Sequence, residues 1–123
     1  MPITFSDRPG EDFLKTLLVQ TASNVFVTIR IVPIAEGTCK AIDTVMVGKS
    51  PDGGMAVFKL WGVAQRYNDV VTVVSTTLEA KKMPESLTWD VTLEADGTSL
   101  LCRVKGAINT VVDWKCWAST YEF

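Results

Sequence analysis

Histidine is absent from all 123 positions. Imidazole is the commonest general base, proton shuttle and metal ligand. No Ser–His–Asp or Cys–His site can therefore be built within this chain. Cysteine is scarce: Cys39, Cys102 and Cys116 are odd in number and lack CxxC spacing, which suggests neither a disulfide framework nor a zinc cluster. Each lies in an apolar strand pattern and reads as a small, reduced core residue. A Cys102–Cys116 cross-strand bridge is conceivable in geometry but disfavoured in a reducing cytosol. Basic residues form no run, and the formal net charge is −2. Without a basic stripe, sequence-independent nucleic-acid binding and anionic-membrane binding are not expected. No apolar run approaches the ~20 residues that span a bilayer. Met1 to Phe5 has no basic n-region and soon meets Asp7, Arg8, Glu11 and Asp12, so no secretory leader is expected.

What is present is alternation. Hydrophobic residues make up 47% of the chain, enough for one domain with one core. Residues 1–12 read as an N-terminal arm, polar and marked by Pro and Gly, with Ile3 and Phe5 as apolar anchors that could dock on a neighbour. Residues 13–123 read as a single β domain. Phe13 to Gln20 fits a helical face or a strand; a strand is favoured because everything downstream is β. Val25 to Pro33 is rich in β-branched residues, with Val25, Val27, Ile29 and Ile31 on one row and Phe26, Thr28, Arg30 and Val32 on the other. Further strands are expected from Thr38 to Gly48, Met55 to Arg66 and Val70 to Leu78. Lys49–Gly54 is the clearest loop, Gly62 marks a bulge or close approach, and Glu79 to Ser86 reads as a charged connection.

The C-terminal third is the best-defined stretch. Leu87, Trp89, Val91, Leu93 and Ala95 alternate with Thr88, Asp90, Thr92 and Glu94, the period of a half-buried strand. Asp96-Gly97 suits a hairpin turn; Leu100, Cys102 and Val104 line the return strand. Gly106 to Asn109 makes a second turn, and Val112, Trp114, Cys116 and Ala118 share a face of the last strand. A three-stranded meander is expected here. Together the pattern predicts an all-β antiparallel sandwich of about seven to eight strands.

Trp89-Asp90-Val91, Asp96-Gly97, Val104-Lys105-Gly106-Ala107 and Thr110-Val111-Val112-Asp113-Trp114 resemble a pattern found at the C-termini of tailed-phage structural proteins, notably tail-fibre and appendage proteins. Ile34 to Thr38, the Val45–Gly54 strand and loop, and Met55 to Arg66 are similar to the same module. The resemblance covers about Val25 to Tyr121. It implies a jelly-roll-like sandwich serving as a virion building block, assembled in the host bacterial cytoplasm and often a homotrimer. A capsid-decoration or tail/fibre appendage role follows as an expectation, with other capsid or tail proteins as partners.

No enzymatic role is expected, and neither cofactor nor metal. Asp43, Asp90, Glu94 and Asp113 could in principle supply a glycosidase pair, but all fall on outward strand rows, as solvated faces do. Asp52-Gly53-Gly54 and Asp96-Gly97 lack the staggered oxygens of a calcium loop, and Gly53-Gly54 has no following helix to make a phosphate loop. Trp89 and Trp114 fall on core rows. Trp117 and Tyr121 fall outward, where aromatics suit a subunit contact; with Trp61 and Tyr67 they are the candidate interface residues or, as the alternative, stacking platforms of a receptor- or host-glycan-binding tip.

Overall fold

Along the last strand Val112, Trp114, Cys116 and Ala118 are buried, while Asp113, Lys115 and Trp117 between them face out, the outcome that their period of two dictates. The computed structural model describes residues 11–122. Its strands are β1 Glu11–Phe13, β2 Leu17–Thr21, β3 Val27–Pro33, β4 Cys39–Lys49, β5 Met55–Tyr67, β6 Val70–Lys82, β7 Asp90–Asp96, β8 Ser99–Lys105 and β9 Val112–Glu122, with a 3₁₀ turn at Pro84–Ser86. The larger sheet runs β1-β9-β4-β5-β6, with β2 also on β9, and the smaller runs β3-β8-β7. All pairings are antiparallel. The molecule is an all-β sandwich of two sheets, not closed into a barrel. Its first strands nest on its last, β2 on β9 and β3 on β8, as in a jelly roll. The strands between them, β4-β5-β6 and β7-β8, run as local hairpins.

Five local readings need correction. The C-terminal third is not a meander: β7 and β8 form the expected hairpin, turning at Gly97 with φ +59°, but β9 pairs with β4 in the other sheet. Residues 106–111 are long enough to change layers, which a two-residue hairpin loop is not. Leu87 is exposed, in the turn before β7. Along β3 the register shifts between Thr28 and Arg30; this bulge turns Arg30 and Val32 inward and leaves Ile31 outside. Glu79 to Lys82 is strand, paired with Lys59 to Ala56, because an edge strand facing water tolerates charge. The stretch read as a strand from Phe13 to Gln20 is strand in two pieces, β1 and β2, interrupted at Leu14 to Thr16.

The core is organised around Trp89, Trp114 and Phe58, all essentially inaccessible. Ring centroids lie 5.8 Å apart for Trp89–Trp114 and 6.0 Å for Phe58–Trp114, within the range of favourable tilted aromatic packing. Three glycines make room for this cluster. A Cβ on Gly48 would stand 2.8 Å from Trp114 Cζ3, and one on Gly54 2.9 Å from the Trp89 ring. One on Gly106 would stand 2.8 Å from Thr21 Oγ1, the acceptor of the Trp114 Nε1 hydrogen bond at 3.0 Å. The residues carrying the family resemblance are thus largely fold determinants. Lys82 Nζ closes this end by donating to the Leu87 and Trp89 carbonyls at 3.1 and 2.7 Å.

Arg30 is buried between the sheets and donates to the Lys15 carbonyl and, at 3.3 Å, to that of Cys116. It ties the interrupted β1–β2 edge to the smaller sheet. Cys102 lies on β8 and Cys116 on β9. They are thus on facing sheets, not on adjacent strands, so the cross-strand placement expected from the sequence does not hold. All three cysteines are free thiols. Burial, reinforced by the neighbouring Cys116 sulfur, pushes the Cys102 thiol up to about 12, with Arg30 pulling weakly the other way. Burial also raises Cys116, against the opposing pull of Arg30.

Candidate functional site

An antiparallel sheet with one wet side should carry polar residues on its outer rows. The smaller sheet does over β7 and β8, whose outer face shows Asp90, Thr92 and Glu94 with Arg103 and Lys105 and an Arg103–Glu94 ion pair at 2.9 Å; Leu101 and the exposed Ile31 opposite it are its apolar members. The larger sheet is mixed: Asp43, Lys49, Lys59, Asp113 and Lys115 are set among apolar and aromatic side chains. Its outer rows carry Ala41, Val45 and Val47 on β4, Met55, Val57, Trp61 and Val63 on β5, and Trp117 and Tyr121 on β9. Phe13, opposite Ser119, and Leu18, opposite Lys115, extend this face to the β1–β2 edge.

Register fixes how these side chains meet. Trp117 lies across from Val45, which lies across from Lys59. Asp43 lies between Ser119 and Trp61. With strands ~4.8 Å apart and ~3.3 Å of rise per residue, the Trp117 and Trp61 backbones stand roughly 12 Å apart on one face. Two shallow grooves of about 230 and 240 Å³ share Asp43 as a wall, one bearing Trp61 and Tyr121 and the other Phe13 and Trp117. Lys59 Nζ sits 4.3 Å from the Trp61 ring centroid and Lys115 Nζ 5.3 Å from that of Trp117, so each indole carries an ammonium group. Gln20 Nε2 donates to Asp113 at 2.9 Å on the same face.

Trp61, Trp117 and Tyr121 are therefore brought together. Tyr67 is exposed on the same row of β5, but roughly 20 Å along the strand from Trp61. Ile3 and Phe5 lie outside the described residues. Among the carboxylates, Asp43 and Asp113 lie on this face, whereas Asp90 and Glu94 lie on the opposite side of the sandwich. Phe13 at 65% exposure and Leu18 at 73% are members that the sequence reading missed. A usable signal was present: β4 and β5 are apolar on both rows (Ile42, Val45, Met46, Val47; Val57, Phe58, Leu60, Trp61), the pattern of strands covered on both faces.

The chain matches no protein-family model and no curated protein. Among solved structures it is similar to the tailspike protein gp49 from Acinetobacter baumannii bacteriophage Fri1, a capsular polysaccharide depolymerase, at 12% identity and a TM-score of 0.43. The similarity covers 95% of this chain and 22% of that one, so the chain spans about a fifth of the tailspike's length.

Proposed function

We propose that the chain is a non-enzymatic structural module of a tailed-phage virion, a capsid decoration or tail appendage, acting through oligomeric assembly. The observation that carries the assembly reading is the apolar and aromatic patch on the outer face of the larger sheet, with Val45, Trp61, Trp117, Phe13 and Leu18 set among its charged residues. Leaving such a patch wet is unfavourable at roughly 25 cal/mol per Å², and patches of this kind mark interaction sites. The placement in a virion rests on the resemblance carried by Trp89 to Val91, Val104 to Ala107 and Thr110 to Trp114. A homotrimer is the stoichiometry that this resemblance implies, with Trp117, Val45 and Phe13 at the subunit contact. The arm at Ile3 and Phe5 is the proposed tie to a neighbouring capsid or tail protein.

The test is co-sedimentation of the purified protein with virions of the phage that encodes it. Saturable binding that is lost in Val45→Lys supports assembly through this face. Absence of binding, or binding unchanged in that variant, rejects it. One observation favours a second reading, a receptor- or glycan-binding tip: Trp61, Trp117 and Tyr121 surround Asp43, a hydrogen-bond acceptor for sugar hydroxyls. That reading requires Trp61→Ala to abolish adsorption to host cells while particle assembly is unchanged.

A further inference from the structure

The two sheets differ in width, and the mismatch leaves a ledge. Strand β7 lies over β5: a Cβ on Gly62 would overlap Leu93 Cδ1. β6, the next strand of the larger sheet, also packs near β7 but extends beyond its cover from Thr76 to Ala80. Its inner row confirms this. Thr76, Leu78 and Ala80 pair with the buried Gly62, Leu60 and Phe58 on β5, yet all three are exposed, Leu78 by 45%. Beside them runs a groove of about 410 Å³ lined by Leu60, Leu78, Val91 and Leu93, with Asp90 and Glu94 along its lip. Among the described residues, β7 pairs only with β8; its Val91 amide donates to the Asp90 carboxylate at 2.9 Å and its Leu93 carbonyl accepts from the Thr92 hydroxyl at 3.5 Å, local bonds that an incoming strand would replace.

We propose that this groove accepts one extended segment of a partner chain, alternating apolar with basic residues, which enters the smaller sheet as a fourth strand beside β7. The backbone of the segment would pair with the free edge of β7, and its apolar row would cover Leu78 and Leu60, the mode in which edge strands capture peptides. Charge sets the other row. Asp90, Glu94 and Asp96 alternate along β7, and among the described residues only Glu94 of the three has an ion-pair partner, Arg103. Opposite charges on paired strands stabilise, and like charges destabilise. A second copy of this chain fits less well: among its own edge strands β2 and β6 have no basic residue at Leu17–Thr21 or Val70–Ala80, the one basic residue of β3, Arg30, is buried, and β7 against β7 would oppose acid to acid. The proposal stands apart from the assembly reading, which uses the other side of the larger sheet.

The probe is a blocked heptapeptide alternating valine and lysine, titrated into the full chain and followed by amide NMR. The expected result is saturable binding with shifts confined to Val91–Ala95 and Thr76–Leu78 and slowed amide exchange along β7. Replacing the lysines by glutamates should weaken binding by about tenfold or more, that is ~1.4 kcal/mol, and added salt should weaken the lysine peptide. Leu78→Asp, at an exposed position, should weaken binding with the spectrum of the fold retained. Equal affinity for the glutamate peptide overturns the proposal, as do shifts centred on Trp117 or no saturable binding. Self-association without peptide that Leu78→Asp abolishes would assign the groove to a second copy and overturn it too.

Discussion

Trp114 lies against Gly48: a Cβ at Gly48 would stand 2.8 to 3.0 Å from three atoms of the indole. The indole cannot withdraw, since its other contacts are Phe58, Trp89 and the Thr21 hydroxyl. Gly48→Ala should therefore destabilise the fold by about 1–3 kcal/mol through overpacking. Trp114→Ala should cost about 3–5 kcal/mol through the cavity it leaves. Urea unfolding followed by tryptophan fluorescence measures both. A neutral Gly48→Ala would mean that the indole has room to move.

Arg30 holds the interrupted edge. Arg30→Met removes the bonds to the Lys15 and Cys116 carbonyls, charge-assisted hydrogen bonds worth about 1.5–3 kcal/mol. The loss should be local. Amide exchange at Leu17–Thr21 should accelerate by about tenfold or more while β7 and β8 keep their protection. Uniform acceleration across both sheets would show that Arg30 supports the whole sandwich instead.

The thiols should separate by burial. Cys39 is half-buried, and Cys102 and Cys116 are buried with raised thiol pKa values. The thiolate is the reactive form. Ellman's reagent at pH 8 should modify Cys39 alone in the native protein and all three thiols in denaturant. Rapid modification of three native thiols would contradict the core described above.

The loop before β5 should respond to acid. Asp52 accepts a hydrogen bond from the Ser50 hydroxyl and one from the Gly54 amide at 3.3 Å. These bonds hold its carboxyl below the usual aspartate range, the Ser50 bond contributing most. A depressed folded pKa contributes stability that is present above the unfolded value and lost as pH falls through the folded one. The Gly54 amide resonance should therefore hold its position down through the ordinary aspartate range and move only below it. Asp52→Asn should remove that acid response. A Gly54 titration at the ordinary aspartate pKa would show that the bonds do not persist in solution.

Much of this was readable from periodicity. The buried row Val112, Trp114, Cys116, Ala118 and the core places of Trp89 and Trp114 follow from spacing alone. What was not readable is non-local or unmarked. The bulge that turns Arg30 inward has no glycine or proline to announce it. The six residues from Gly106 to Val111 look like a hairpin turn, yet they carry β9 into the other sheet. That crossing decides the candidate site. Parity placed Trp117 and Tyr121 outward, but only the order β9-β4-β5 sets them with Trp61 on one face around Asp43. Phe13 and Leu18 escaped notice because the β1–β2 break interrupts the alternation that would have marked them.

The measurement that bears most directly on the assembly claim is the solution mass by light scattering, for the native chain and for Trp117→Lys. Trp117 is 42% exposed, so the substitution should leave the sandwich folded. The account predicts an oligomer, a trimer by the resemblance, that falls to monomer in the variant with an unchanged circular dichroism spectrum. A native chain that is monomeric at every concentration, or a variant that keeps the native mass, would contradict it.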